Sequence, residues 1–215
     1  MNPEHENSGL CVITIEGENI TWGLLDPDAQ GEYLTSPDGL NFIYKKSESD
    51  QECIYIAEFK TLQPRQLFCQ DDVKNHSFSD FEWLSESQRF IALYEDWWYR
   101  EESVVKLFDS QTGEYKDLFT YTGAHENLVY TSPDRSQVVF CAGQPKSEVI
   151  KFFYFYDFNT SKMLKIEDTS MINNGENICY SGSFSWNDSY SVFFTTWGEN
   201  SQSYKLDFEN GKIVE

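Results

Sequence analysis

Two histidines are candidates for catalysis or metal binding in this chain. His76 and His125 lie 49 residues apart, and imidazole is a common general base and metal ligand. Two such ligands without a third partner make a weak metal site, because zinc sites in proteins use three or four protein ligands. We therefore expect no metal ion and no cofactor in this protein.

The segment DPDAQGEYLTSP resembles the start of a calcium-binding loop. Asp26, Asp28 and Gly31 occupy the first, third and sixth places of that loop. The fifth place is Gln30 and the twelfth is Pro37, which cannot supply the bidentate carboxylate that such a loop needs. We interpret the segment as an acidic loop rather than as a calcium site.

Acidic residues recur at two regular places in the chain. One set is Asp38, Glu86, Asp134 and Asp188, and the other is Glu58, Asp109, Asp157 and Asp207. A catalytic acid would occur once, so we interpret both sets as turn formers. The chain has no G-x-S-x-G elbow, P-loop or H-E-x-x-H motif. We predict no catalytic residue and regard a non-enzymatic protein as the better interpretation.

The net charge limits the partners that the chain can bind. The 215 residues include 16 Lys and Arg and 36 Asp and Glu, which gives a formal charge of −20. Such a surface repels phosphates and anionic lipids, so we expect neither nucleic acid nor a membrane as partner. A basic protein is favoured instead. The alternative is that the acidic residues only keep an aromatic-rich chain soluble.

The cysteines and the N-terminus indicate a cellular location. The five cysteines are Cys11, Cys53, Cys69, Cys141 and Cys179. They are odd in number and have no C-x-x-C spacing, so we interpret them as reduced thiols. No signal peptide and no transmembrane run is visible in the sequence. We therefore expect a cytoplasmic protein.

Both sets of acids mark a repeat with one period. The intervals are 48, 48 and 54 residues in the first set and 51, 48 and 50 in the second. Each copy has an apolar run, a tight turn such as Ser-Pro-Asp-Gly, and a run rich in aromatic and β-branched residues. The third copy predicts strands near 127–132, 137–142, 150–157 and 163–166. Four-stranded antiparallel units repeated at this period are typical of β-propeller blades.

The sequence thus predicts an all-β fold, a small β-propeller with four blades and an N-terminal half-blade or closing hairpin. We interpret residues 1–215 as one domain. Its predicted parts are the hairpin at 1–31 and blades at 32–70, 80–120, 127–166 and 179–215. Residues 10–25 read as two strands around Glu16 to Asn19. These two strands would close the ring of blades. The alternative is an open arc of blades, whose unpaired strand edge would favour a homodimer.

The repeats resemble those of known propeller families. TGAHENLVYTSPDRSQVVF followed by FYFYDFNTSK resembles a WD-repeat, and YLTSPDGLNFIYKK is similar to TolB-like and prolyl-oligopeptidase propeller repeats. The WD-repeat resemblance implies a structural role for His76 and His125. The chain lacks a full Gly-His pair and any Trp-Asp pair, so the resemblance specifies the fold rather than an activity.

Loops at one rim of the propeller carry the candidate binding residues. Because antiparallel strands alternate in direction, the loops between second and third strands share a rim with the inter-blade loops. The residues expected at this rim are Trp97, Trp98, Tyr99, Arg100, Trp197, His76 and His125. Trp, Tyr and Arg dominate binding hot spots, although Trp97 and Trp98 could instead pack against a blade face.

The leading hypothesis is a propeller that binds a partner protein, basic in charge, through this rim. Two alternatives belong to other classes. One is a small propeller enzyme that acts on a polar ligand at the rim or channel. The other is half of a larger propeller that a second copy of the chain completes.

Overall fold

The structure is a computed structural model that describes residues 9–16, 19–26, 29–48, 51–69, 76–96, 103–121, 129–143, 150–169, 172, 184–188, 190–195 and 202–214. Every regular element among these residues is a β-strand, and they form eighteen strands. None of the described segments is a helix of the length and apolar character needed to cross a membrane. The predicted all-β class is confirmed.

The strands form one hairpin and four four-stranded sheets. The hairpin consists of β1 (Leu10–Glu16) and β2 (Asn19–Asp26). The first sheet consists of β3 (Ala29–Thr35), β4 (Asn41–Glu48), β5 (Gln51–Glu58) and β6 (Pro64–Cys69). The second consists of β7 (His76–Trp83), β8 (Arg89–Asp96), β9 (Ser103–Asp109) and β10 (Tyr115–Tyr121).

The remaining described strands form the third and fourth sheets. The third consists of β11 (Val129–Thr131), β12 (Gln137–Gly143), β13 (Ile150–Asp157) and β14 (Lys162–Ile166). The fourth consists of β15 (Phe184–Asp188), β16 (Ser191–Thr195), β17 (Ser203–Asp207) and β18 (Lys212–Val214). In each sheet, strands adjacent in sequence are neighbours. The four strands predicted for the third repeat and the two predicted for residues 10–25 are confirmed.

The turn between the first two strands has the same hydrogen bonds in the first and third sheets. Ser36 Oγ donates to Asp38 Oδ1 at 2.6 Å, and the same oxygen of Asp38 accepts the Leu40 amide at 3.0 Å. Ser132 and Asp134 repeat the contact at 2.6 Å. The hydrogen bond from Ser132, with those from Ser136, lowers the pKa of Asp134. The carboxylate therefore fixes the turn, as its side-chain oxygen replaces a backbone partner.

The second set of acids closes the turn between the last two strands. Asp109 Oδ1 accepts the amides of Gln111 and Thr112 at 2.9 and 2.8 Å. Asp157 and Asp207 each accept turn amides in the same way. The prediction that the recurring acids form turns is confirmed for Asp38, Asp109, Asp134, Asp157 and Asp207.

The chain forms two compact units, residues 1–74 with 109–114 and residues 75–108 with 115–215. In the first unit, one face of the first sheet packs on the hairpin. The buried residues on that face are Ala29, Phe42, Tyr44, Cys53, Tyr55 and Ala57, and the hairpin contributes Leu10 and Leu25. The hairpin thus covers a sheet face that would otherwise be open to water.

In the second unit, the third sheet is buried on both faces. Val138 and Phe140 pack with Leu93 and Val105 of the second sheet. The residues of β12 and β13 that alternate with these point to the opposite face and pack on the fourth sheet. They are Val139, Cys141, Phe153 and Phe155. Because successive side chains of a strand point to opposite faces, continuous apolar runs are needed to bury both.

Seven turns among the described residues each hold one residue in the left-handed region. In the turn between the first two strands of a sheet, this residue directly follows the acid and is Gly39, Ser87 or Arg135. In the turn between the last two strands, it lies four residues after the acid and is Leu62, Gly113, Ser161 or Gly211. Their φ angles lie between 53° and 79°. Glycine adopts this conformation without the steric cost that a side chain meets. The turn geometry is therefore kept even where the residue type disfavours it.

We expect Ser161→Gly to raise the free energy of unfolding by about 1 kcal/mol and Gly211→Ala to lower it by a similar amount. A Cβ at Gly211 meets no atom within 4 Å, so the loss would come from the backbone alone. Urea unfolding at neutral pH measures both changes. Thr160→Gly, in the same turn but outside the left-handed region, should destabilise the protein and serves as the control. Equal effects of Ser161→Gly and Thr160→Gly would contradict the explanation.

Candidate functional site

Most of the predicted rim residues lie outside the described residues. These are Trp97, Trp98, Tyr99, Arg100, His125 and Trp197. His76 is the first residue of β7 and stands opposite Asp96 at the end of β8. The loop 97–102 starts directly after Asp96 and joins β8 to β9. The chain path therefore brings His76 and the start of this loop to one end of the second sheet.

The loop that contains Trp197 leaves the corresponding end of the fourth sheet. It joins Thr195, the last residue of β16, to β17. Thr195 and Ser203 are directly opposite each other, and their hydroxyl oxygens lie 3.0 Å apart. This pair closes the sheet at the base of the loop.

Apolar side chains of the second sheet are buried on both of its faces. On one face Phe90 and Phe108 stack with ring centroids 5.0 Å apart, and Phe78 and Trp83 pack beside them. On the other face Leu93 joins the cluster shared with the third sheet. All five side chains are buried. These side chains form the described core of the second sheet.

A buried lysine in the second sheet interacts with a carboxylate and two aromatic rings of the same sheet. Lys106 Nζ lies 2.7 Å from Asp117 Oδ1 and stands over the rings of Tyr94 and Tyr115, at 5.4 and 4.9 Å from their centroids. A desolvated cation held by a carboxylate and two aromatic rings is stabilised without a ligand. We therefore assign Lys106 to the sheet rather than to a binding site.

Sequence reasoning missed a polar cluster in the first unit. Tyr44 Oη donates to Asp26 Oδ2 at 3.0 Å, and Lys46 Nζ lies 3.4 Å from the same oxygen. Lys46 Nζ also lies 3.4 Å from Glu48 Oε1, to which Tyr55 Oη donates at 2.6 Å. The contacts link β2, β4 and β5, so the cluster ties the hairpin to the first sheet.

Strand alternation explains how the cluster assembles. Tyr44, Lys46 and Glu48 are every second residue of β4 and share a face. Tyr55 stands directly opposite Tyr44 in the β4–β5 ladder. Asp26 at the end of β2 is buried, so its carboxylate needs the donors that Tyr44 and Lys46 supply.

The cluster shifts the pKa values of its members. Burial, the hydrogen bond to Glu48 and the nearby carboxylates raise the pKa of Tyr55 to about 12. Burial and Asp26 raise the pKa of Tyr44 further. For Lys46, burial lowers the pKa, but Asp26 and Glu48 outweigh this effect, so that the pKa is raised. Both phenols are therefore held neutral and the ammonium is held charged.

The interpretation of residues 26–37 as an acidic loop is wrong. Asp26 ends β2, and β3 already begins at Ala29. The carboxylate of Asp26 is engaged by Tyr44 and Lys46. Asp26 therefore belongs to the buried cluster and does not act as the first ligand of a calcium loop.

The interpretation of all five cysteines as reduced thiols is also wrong. Cys53 and Cys69 are joined by a disulfide with an S–S distance of 1.92 Å. They are opposite residues of β5 and β6, which brings their sulfur atoms together although 16 residues separate them. Cys141 is disulfide-bonded as well, whereas Cys11 carries a free, exposed thiol. The expected cytoplasmic location loses this support and stays a prediction.

The fold is similar to several solved structures. The putative TolB from Agrobacterium tumefaciens has a TM-score of 0.52 and 15% identity, over 86% of this chain and 64% of that chain. Oligogalacturonate lyase from Vibrio parahaemolyticus has a TM-score of 0.57 and 17% identity, over 85% of this chain and 51% of that chain. The structure of a nidogen/laminin complex has a TM-score of 0.53 and 13% identity, over 93% of this chain and 67% of that chain.

These structures are β-propellers, so the predicted propeller fold is confirmed. The TolB-type similarity supports a propeller-repeat fold and does not establish WD-repeats in particular. The chain spans about half to two thirds of the matched chains. No protein-family model matches the sequence. No curated protein matches it either.

The polar cluster predicts how stability depends on pH. The pKa of Tyr55 is raised from 10.0 to about 12, so the unfolded chain ionises first. The stability contributed by the neutral phenol is present below pH 10 and lost as the pH rises toward 12. We expect urea unfolding to show a steep fall in stability across this range.

Tyr55→Phe tests this dependence. It should make the fall with pH shallower and should cost about 1 kcal/mol at neutral pH through the lost hydrogen bond. Tyr33→Phe, at an exposed position of β3, is the matched control and should leave both quantities unchanged. The same pH dependence in the Tyr55 variant and in the unmodified protein would contradict the assignment.

Proposed function

We propose that the protein binds a partner protein with a basic surface through the loops at one end of its second and fourth sheets. The observation that carries this proposal is the chain path, which brings His76 and the start of the segment 97–102, directly after Asp96, to one end of the second sheet. Trp, Tyr and Arg, the residue types that dominate binding hot spots, are concentrated in that segment of the sequence. The residues assigned to the binding surface are Trp97, Trp98, Tyr99, Arg100, Trp197, His76 and His125.

The charge of the chain supports a basic partner. The formal charge is −20, and acids flank the aromatic run of the loop directly, namely Glu95, Asp96, Glu101 and Glu102. An acidic ring around apolar anchors would speed the approach of a basic protein and would weaken with added salt. The aromatic side chains would then supply most of the affinity.

The matched structures include both binding proteins and enzymes. One is a nidogen/laminin complex, and others are an oligogalacturonate lyase and a puromycin hydrolase. The recurring acids serve in turns, where Asp109 and Asp157 accept backbone amides. Partner binding is preferred over an enzyme that acts on a polar ligand because the sequence contains no G-x-S-x-G elbow, P-loop or H-E-x-x-H motif.

Substitutions in the loop separate the two physical contributions to binding. Trp97→Ala or Trp98→Ala should weaken binding by about 2 kcal/mol or more through faster dissociation. Neutralising Glu101 and Glu102 should slow association and flatten its salt dependence. Pull-down with mass-spectrometric identification at low and high salt supplies the partner, and surface plasmon resonance measures both rates.

Melting temperatures of the variants provide the control. A fall in melting temperature for Trp97→Ala would mean that this ring packs against the sheet. Trp83→Ala, which removes a buried ring of the same sheet, shows the size of fall that such packing produces. Normal folding together with unchanged binding in both loop variants would contradict the proposal.

A second candidate function is that of a half-ring completed by a second copy of the chain. The third sheet is buried on both faces, whereas the fourth sheet exposes Phe193 and Val214, at 40% and 36%, on one face. The hairpin exposes Ile13 and Ile20 at 64% and 67%. Apolar residues on an outer sheet face favour self-association.

Light scattering after gel filtration tests this candidate. A second copy that covers these faces should give the mass of a dimer, and Phe193→Glu should return the protein to a monomer, because a charge cannot be buried there without a partner. Met163→Glu, at an exposed position of β14, is the control and should remain dimeric. A monomer at every concentration tested would exclude the half-ring.

A further inference from the structure

Three possible metal ligands converge on one face of the first sheet. The carboxylate of Glu48 and the sulfur atoms of Cys53 and Cys69 all lie within 4.8 Å of one another. They come from the adjacent strands β4, β5 and β6. Cys53 is fully buried, and the side chain of Glu48 is 38% exposed. The group therefore has a buried base and an opening toward solvent.

We propose that, when the disulfide is reduced, Cys53, Cys69 and Glu48 form a site for a zinc-type divalent ion. Two thiolates and one carboxylate are a ligand set that zinc accepts, with a fourth position left for water or another ligand. Calcium and magnesium are disfavoured because they require an all-oxygen set. Metal binding and disulfide formation use the same sulfur atoms, so each state of the pair excludes the other.

The surroundings of the three ligands favour a bound cation. Two thiolates and a carboxylate carry a charge of −3, and a divalent ion leaves −1. The ammonium of Lys46, which lies 3.4 Å from Glu48 Oε1 and is shared with Asp26 Oδ2 at 3.4 Å, offsets part of this remainder. Tyr55 donates to the same carboxylate at 2.6 Å, which orients it as an outer partner orients a metal ligand.

The two states are linked by a balanced exchange. A dithiol reductant supplies two electrons and two protons to the Cys53–Cys69 bond and becomes a disulfide itself. The metal ion then displaces one proton from each of the two thiols and binds both thiolates. In the reverse direction a small-molecule disulfide accepts two electrons from the two thiolates and, with two protons from water, becomes two thiols, while the Cys53–Cys69 bond forms and the ion is released. The site thus responds to the redox state of the compartment in which the protein lies.

Cobalt(II) is a suitable probe because thiolate coordination gives it strong charge-transfer absorption. We expect the protein, reduced with a phosphine and kept anaerobic, to bind one equivalent of Co²⁺ with thiolate-to-cobalt absorption and tetrahedral visible bands. Zn²⁺ should displace the cobalt. The oxidised protein should show neither absorption. Thiol titration before each experiment establishes that Cys53 and Cys69 are reduced.

Single substitutions assign the ligands. Cys69→Ser should abolish the charge-transfer absorption, and Glu48→Gln should weaken Co²⁺ binding about tenfold or more. Cys11→Ser, which removes the exposed thiol of the hairpin, is the matched control and should bind as the unmodified protein does. Circular dichroism shows whether each variant keeps its strands.

Three outcomes would overturn the proposal. The first is a pair that the phosphine cannot reduce in the folded protein. The second is a reduced, folded protein without thiolate-to-cobalt absorption. The third is absorption that persists in Cys69→Ser, which would place the cobalt on other cysteines.

Discussion

A four-stranded sheet with apolar residues on both faces is stable in water only if both faces are covered. The third sheet shows this constraint directly, since Val138 and Val139, adjacent on β12, are buried against different neighbouring sheets. Charged groups are therefore confined to turns, edges and loops unless they have partners. Of the described residues, the buried charged ones are Asp26, Lys106 and Asp157. Each of them makes a hydrogen bond or an ion pair.

The part of the fold that follows from short-range sequence could be predicted. Ser132 and Asp134 form their turn with residues at most five positions away, and the repeat of such turns sets the strand boundaries. The conformational preference of a single turn residue matters less than the position that the strands impose on the turn. Ser87 and Arg135 adopt the left-handed conformation that Gly39 adopts more readily, because the flanking strands fix where the turn must lie.

The cysteine pair and the polar cluster could not be predicted in the same way, because both depend on register between strands. Asp26 and Tyr44 are 18 residues apart in the sequence. Even the hairpin spacing of the cysteines is misleading, because the pairing of Ala57 with Pro64 near the turn would set Cys53 opposite Phe68. The register shift between Ile54 and Tyr55 brings Cys53 opposite Cys69 instead.

Partners explain where charged groups are tolerated in the first unit. Leu10 and Leu25 of the hairpin pack on the core of the first sheet. The same sheet carries Lys46 and Glu48, whose charges are stabilised by each other and by Tyr55. Burial without such partners costs several kcal/mol per charge, on the order of the whole stability of a domain. Lys106 of the second sheet follows the same rule, since Asp117 holds its ammonium. In the first sheet, the cluster brings the carboxylate of Glu48 within 4.8 Å of the sulfur atoms of Cys53 and Cys69.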